Sequence, residues 1–336
     1  MSEDLTQRNV GTVPRFSHLA TFMRSVYRDA TSDLDIAMVG VPFDSGSSFR
    51  SGARHGPAQL REMSRLIRKV NYATQVAPFD ICRVADIGDA PVNPLSIDES
   101  LASIQEFFES VAASGALPLA AGGDHTITLP ILRALAKDGP LALVQIDAHS
   151  DTLDIMLGKK YANGTPFRRA VEEGLLDPRL VIQIGIHGTL FDADEHAWAK
   201  DVGITIVDIE EFHRLGVSGV IARVLDLIGD RPAYLTFDID ALDPSCAPGT
   251  GSPEPGGLGI RDAQNLLRGL ADLQLVGADV NELSPPLDPS GSTAVVAANV
   301  MFEELCLLAQ SVQRRRSTPN TSNGASRIVD AIHDPI

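Results

Sequence analysis

Runs of apolar and β-branched residues recur down this chain, each followed by a stretch of helical periodicity, and that alternation predicts βα units on a mostly parallel sheet. Strands are expected over 35–41, 82–87, 117–121, 141–146, 180–186, 204–209, 233–237 and 273–280. Amphipathic stretches over 57–70, 97–114, 127–137, 166–175, 218–228 and 261–270, with a longer one over 295–313, supply the helices. Eight strands and about as many helices make one doubly wound α/β domain over 35–313, a span that no linker or internal repeat interrupts. Residues 1–34 are read as an N-terminal arm, with a short arm or helix near 16–24. From Arg314 the sequence RRRSTPNTSNGAS is polar and turn-rich, so 314–336 is expected to be a mobile tail whose last residues, 328–336, dock on a neighbour.

Charge narrows the partners. With 28 Lys and Arg against 44 Asp and Glu the formal net charge is -16, which opposes binding to nucleic acid and to anionic membranes and favours the approach of a cation, or serves solubility alone. Cys82, Cys246 and Cys306 are an odd, scattered set without a CxxC pair, which fits a reducing compartment. The polar N-terminus lacks an apolar run of signal-peptide length, and no stretch approaches 18 apolar residues, so the expected location is cytoplasmic.

Acidic and histidine residues gather where predicted strands end, which is where open α/β sheets build their sites. Gly122-Gly123-Asp124-His125 follows the third strand, and taken alone it reads equally well as a turn with an N-capping aspartate or as a metal ligand. Asp147-Ala148-His149-Ser150-Asp151 follows LALVQI; in extended backbone the side chains at i, i+2 and i+4 share a face, so Asp147, His149 and Asp151 converge. Asp238-Ile239-Asp240 repeats the period-2 pairing after the seventh strand, and Asp243-Pro244 closes the turn; alone, this too is a capped turn. Pooled from three adjacent strand ends, four carboxylates and two imidazoles repel one another in a low dielectric unless cations compensate them. Two divalent ions match four negative charges. The mix of imidazole and carboxylate favours manganese or another octahedral first-row ion over calcium and over structural zinc, with nickel and cobalt left open.

These residues resemble a known family. GGDH, DAHSD and FDIDALDPSCAPGTGSPEPGG are similar to the three metal-binding signatures of the ureohydrolases, the arginase and agmatinase family. TFMR at 21–24, SGARHGPAQLR at 51–61, GTPFRRAVEEGLLD at 164–177 and NELSPP at 281–286 resemble agmatinase-like members in particular. The resemblance implies a three-layer α/β/α sandwich with an eight-stranded, mostly parallel sheet, assembled into trimers or hexamers of one subunit or of two related ones. It implies that His125 and Asp151 bind one metal ion, that His149 and Asp240 bind the other, and that Asp147 and Asp238 bridge them. It further implies two ions, Mn2+ first and Ni2+ as the alternative, which activate water against a guanidinium carbon so that urea and an amine are released. Asp151 would pass a proton to the leaving nitrogen, Glu282 would pair with the guanidinium, and Ser252 would lie near the substrate.

Two positions depart from the family pattern. Asn163 stands where agmatinase-like sequences usually carry a histidine before Gly-Thr-Pro-Phe, and an amide cannot titrate, so it either lightens the proton-transfer role or turns to substrate recognition. His187 stands where relatives often carry arginine and would shape a different substrate pocket. The expected activity is hydrolysis of a small cationic guanidino compound such as agmatine or guanidinobutyrate. The alternatives are guanidine itself, an N-substituted guanidine or biguanide such as metformin, and a weakly active subunit that supports an active paralogue.

Overall fold

The structure, a computed structural model, describes residues 5–8 and 11–317. Its strands are β1 (Val26–Tyr27), β2 (Ile36–Val41), β3 (Val84–Asp89), β4 (Leu117–Gly122), β5 (Leu141–Ile146), β6 (Leu176–Ile186), β7 (Thr205–Asp208), β8 (Pro232–Asp238) and β9 (Gln274–Asn281). Its helices are α1 (Gly56–Met63), α2 (Pro78–Ile81), α3 (Ile97–Ala113), α4 (Thr128–Leu135), α5 (Pro166–Glu172), α6 (Ala197–Val202), α7 (Ile209–Ile228), α8 (Ile260–Gly269) and α9 (Ser292–Ser317). All strands join one parallel sheet in the order β1-β3-β2-β4-β9-β8-β5-β6-β7.

The sheet is buried on both faces, and the strand alternation shows it. Ile36 and Met38 of β2, with Ala142, Val144 and Ile146 of β5, join the apolar layer that holds α7, α8 and α9. Their neighbours Ala37, Val39, Val41, Leu141 and Leu143 face the opposite layer, with Phe108 of α3, Leu129 of α4 and Phe167 of α5. This is the expected three-layer arginase-like sandwich. It has nine strands instead of eight because the two-residue β1 pairs with β3, and two residues are too few for period-2 alternation to register.

Helix boundaries moved where local chemistry overrode periodicity. Asp208 caps α7 by accepting a hydrogen bond from the backbone N–H of Glu211, so the helix starts at Ile209, inside the range expected to be strand, and is kinked at Gly216 with φ 68°. The short helices α2 and α6 lie outside the predicted amphipathic stretches. The TFMR motif is a buried anchor: Phe22 lies under the Arg61 guanidinium at 4.2 Å, and Arg61 pairs with Asp86 at 2.8 Å.

By mean hydropathy helix α9 carries an 18-residue window apolar enough to cross a membrane, although Glu303 and Glu304 interrupt its apolar residues, and 78% of that window is buried inside the fold. It also runs into the expected tail. Arg314 and Arg315 donate to the carbonyls of Leu273 (2.5 Å) and Leu275 (2.7 Å), and Arg316 donates to Ile81 O (3.0 Å), so 314–317 is docked helix. Residues 318–336, including the proposed docking segment 328–336, lie outside the described residues.

Candidate metal centre

Strand order decides what meets at the carboxyl edge. The ligand-bearing strands β5 and β8 are neighbours, but β9 separates β8 from β4, so the three strand ends are not contiguous as expected. The insertion is constructive, since the residue that follows β9 is Glu282. Gly122 and Gly123 make the close approach possible: a Cβ on Gly123 would lie 2.0 Å from the Phe43 carbonyl oxygen, and one on Gly122 would lie 2.0 Å from Asn281 Oδ1.

Two of the three motifs are capped turns that also carry a member of the cluster. Asp124 caps a short 3-10 turn, accepting from Thr126 N (3.0 Å) and from Gly46 N (2.7 Å), and this aims His125 inward. Asp238 accepts from Asp240 N through Oδ1 (2.9 Å) and leaves Oδ2 for the centre, so the two aspartates converge across a 3-10 turn and not along extended backbone. Asp151 also leaves the extended region, with φ 53°, and Glu282 sits at φ 61°. Two non-glycine residues held left-handed at one site are strain of about 1–3 kcal/mol each that the surrounding packing imposes.

The contacts fall into two groups that share Asp147. His125 Nδ1 stands 3.0 Å from Asp151 Oδ2, 3.1 Å from Asp147 Oδ2 and 3.3 Å from Asp238 Oδ2. His149 Nδ1 stands 3.1 Å from Asp240 Oδ2 and 3.7 Å from Asp147 Oδ1. Ligand atoms of His125, Asp147 and Asp151, and separately of Asp147, His149 and Asp240, lie within 4.8 Å of one another.

The polar groups beneath the centre fix how His125 presents itself. The Thr236 hydroxyl donates to Asp279 Oδ1 at 2.5 Å, so its oxygen accepts from His125 Nε2–H at 2.8 Å. In that tautomer Nδ1 carries a lone pair, and it is buried with no hydrogen-bond partner while facing three carboxylate oxygens. A lone pair opposite carboxylates is repulsive, so the donor set fits a cation between them. The electrostatics agree. Burial disfavours a charged His125 ring, yet Asp147, Asp151 and Asp238 raise its pKa well above the histidine range. Burial and the Asp147 charge push Asp151 up to about 7, and burial, Asp240 and Asp147 push Asp238 far above the carboxylate range. Burial opposes Asp147 too, but His125 and His149 outweigh it and hold that carboxyl low. Without a metal the cluster can neutralise itself only by redistributing protons.

Sequence reading missed the supporting row. Gln183, Gln145, Thr236 and Asp279 stand side by side in register across β6, β5, β8 and β9. Gln183 Nε2 donates to Gln145 Oε1 (2.7 Å), and Gln145 Nε2 donates to Asp147 Oδ2 (2.8 Å). Asp279 is fully buried and accepts from Thr128 and Tyr234 hydroxyls at 2.8 Å and from Asn281 Nδ2 at 2.6 Å, besides Thr236. The signal was available: each is a polar residue with an apolar residue on either side in a buried strand segment. Thr236→Val, which keeps shape and removes the hydroxyl, is expected to weaken metal affinity about 10–100-fold by freeing the His125 tautomer. Metal titration of the stripped protein checks this, and unchanged affinity would remove Thr236 from the support.

A cavity of about 280 Å3 opens over the centre, and His149, Asp151, Asn163, Asp238, Asp240, Ser252 and Glu282 lie on its wall. Glu282 is 5% exposed; its Oε1 accepts from His125 N (2.9 Å) and Asn163 Nδ2 (3.3 Å), and among the described residues no Lys, Arg or His forms an ion pair with it. Burial, with the Asp124 charge next, pushes its carboxyl up to about 8. Asn163 Oδ1 is buried without a partner. Phe167 of the same Gly-Thr-Pro-Phe segment packs edge-on against the His125 ring, centroids 5.1 Å apart. His187 does not shape the cavity as expected. Its ring nitrogens face the carbonyl oxygens of Gly185 (2.6 Å) and Glu254 (2.9 Å), and these two contacts hold the ring as a tie between the end of β6 and the loop after β8.

Comparison with known proteins agrees with this geometry. The arginase family profile matches residues 34–306. The chain is 50% identical to guanidinopropionase of Pseudomonas aeruginosa over 94% of its own length and 99% of that protein's. It is 45% identical to guanidinobutyrase of the same organism, over 90% and 96% of the two chains. The solved structure of proclavaminate amidino hydrolase from Streptomyces clavuligerus superposes with a TM-score of 0.86 at 39% identity, covering 89% of this chain and 100% of that one. By fold, by family match and by these relatives, the chain belongs to the arginase family, as an amidinohydrolase of carbon–nitrogen bonds in linear amidines.

Proposed function

We propose that this protein hydrolyses a guanidino carbon–nitrogen bond of a small guanidino compound to urea and an amine at a binuclear metal centre. The observation that carries it is Glu282: a buried carboxylate on the cavity wall, beside the orphaned acceptor Asn163 Oδ1, with no cationic side chain paired to it among the described residues. A guanidinium offers planar N–H donors to a carboxylate in a bidentate, charge-assisted contact. Desolvated carboxylate and substrate cation complete each other.

In this reading His125 and Asp151 would hold one ion and His149 and Asp240 the other, with Asp147 and Asp238 serving both, manganese preferred and nickel the alternative. Divalent ions there would supply Lewis acidity and lower the pKa of water by several units. Glu282 and Asn163 Oδ1 fix the plane of the guanidinium and Ser252 lines the substrate space, which holds the guanidinium carbon in one orientation for attack by water. Water adding to that carbon loses a proton, and Asp151 is placed to accept it and return it to the nitrogen that leaves as amine. Asn163 orients without titrating, so proton transfer falls on Asp151.

Asn163 also favours a second reading, in which this chain binds metal but supports an active paralogue. Urea release by the purified protein, loaded separately with manganese and nickel, decides between them across agmatine, guanidinobutyrate, guanidinopropionate, arginine, guanidine and metformin. Urea from one of these supports the hydrolase reading. Silence across the series with two ions bound per chain refutes it and leaves the supporting subunit.

A further inference from the structure

We propose that the pocket takes guanidines whose N-substituent is a short apolar chain and discriminates against a carboxylate tail. This rests on the hydrolase reading above, with Glu282 holding the guanidinium, and concerns the opposite end of the substrate.

The charge on the wall is one-sided. Among the described residues Asp151, Asp238, Asp240, Glu195, Glu254 and Glu282 line the cavity, no Lys or Arg does, and the single basic group, His149, belongs to the metal cluster. Two divalent ions would cancel Asp147, Asp151, Asp238 and Asp240, and a guanidinium would cancel Glu282. Glu195 and Glu254 then remain, uncompensated by any cation on the wall. Glu195 is fixed there: its Oε2 accepts from the Phe191 backbone N–H at 2.7 Å. A substrate carboxylate would enter beside two like charges in a partly desolvated space.

Nearby cations are committed elsewhere or lie off the wall. Arg50, next to Phe49, donates through Nε to Gly251 O (3.0 Å) and through Nη2 to Thr250 O (2.8 Å). Arg169 binds Asp154 at 2.7 Å. Lys159 and Lys160 are exposed on the loop between β5 and α5 and do not line the cavity.

The outer wall is apolar instead. Phe49 after β2, Leu153 and Met156 after β5, and Leu190 and Phe191 after β6 all line the cavity. Phe49 is 79% exposed and Phe191 83%, so two aromatic rings from separate loops stand in water at the mouth of the site. An alkyl substituent would remove part of that surface from water, whereas a charged tail would have to stay hydrated against it. The relative named for guanidinopropionate shares half its residues with this chain, but identity averaged over the whole chain does not describe these loops.

Three ligands with the same four-carbon chain separate the possibilities: n-butylguanidine, agmatine and 4-guanidinobutyrate end in methyl, ammonium and carboxylate. Urea release gives kcat/KM, and calorimetric binding to the metal-loaded protein gives affinity without turnover. n-Butylguanidine is expected to exceed 4-guanidinobutyrate by about tenfold or more in both, with the gap closing at high salt and in the double variant Glu195→Gln, Glu254→Gln. If n-butylguanidine binds best but no urea forms, the tail preference stands and the hydrolase reading fails. Equal or better handling of 4-guanidinobutyrate overturns the proposal, as does binding of none of the three. A tenfold preference for agmatine over n-butylguanidine also overturns it, in favour of a cationic tail.

Discussion

Asp147→Asn is expected to abolish activity and metal binding together. Asp147 belongs to both groups of closely spaced ligand atoms among the described residues, with Oδ2 3.1 Å from His125 Nδ1 and Oδ1 3.7 Å from His149 Nδ1. The amide keeps the volume but removes a negative charge and presents an NH2 group where an oxygen faced a ligand ring. Its oxygens are also fixed from below, by Gln145 Nε2 (2.8 Å) and by His149 N (2.6 Å), so the side chain has little freedom to compensate. A loss of kcat/KM on the order of 1,000-fold or more, about 4 kcal/mol of transition-state stabilisation, is the expected scale. Metal content by elemental analysis should fall from two ions per chain, and Asp238→Ala should behave alike. Wild-type turnover with full metal content in either variant would remove these aspartates from the centre.

Glu282→Gln should separate substrate binding from metal binding. The variant is expected to keep its metal, because Glu282 touches the centre only through the His125 backbone, and to lose about 100-fold in kcat/KM as a charge-assisted contact becomes a neutral one. Loss of metal in this variant, or unchanged kinetics, would count against the role. A pH signature accompanies it. In the metal-free protein burial pushes the Glu282 carboxyl from its ordinary 4.5 up to about 8. A raised acid binds more protons folded than unfolded, so its contribution to stability falls as pH rises from about 4.5 to about 8 and is flat outside that window. In metal-free protein the glutamine variant should therefore gain stability relative to wild type across that window, measured by urea denaturation. Parallel stability curves for the two proteins would rule out the raised carboxyl.

Much of this was legible without coordinates, where the cause is local. An apolar run such as LALVQI is buried on both faces wherever it sits in a parallel sheet, and Asp147, His149 and Asp151 follow it directly, so a cluster at this strand end was readable, although Asp151 at φ 53° leaves the extended backbone and joins His125 while His149 joins Asp240. Asp124 was readable as a cap beside a ligand and Asp238 as a cap or a ligand; Asp124 caps its turn, and Asp238 caps with Oδ1 while Oδ2 faces His125, because a short side chain accepting from its own turn orients what comes next. Period and local hydrogen bonding do not depend on the rest of the chain.

What only the tertiary structure decided is non-local. No pattern in β9 says that it lies between β4 and β8, and that placement puts Glu282 at the cavity and Asp279 under Thr236. Register across four strands aligned Gln183, Gln145, Thr236 and Asp279, which in sequence are isolated polar residues. His187 looked like a pocket residue and became a tether between loops, while Arg314 to Arg316, read as the start of a tail, found carbonyls of other elements to bind. Local sequence sets which way a side chain points from its own backbone. Which buried group it then meets depends on how helices pack the crossovers and order the strands, a property of the whole folded chain.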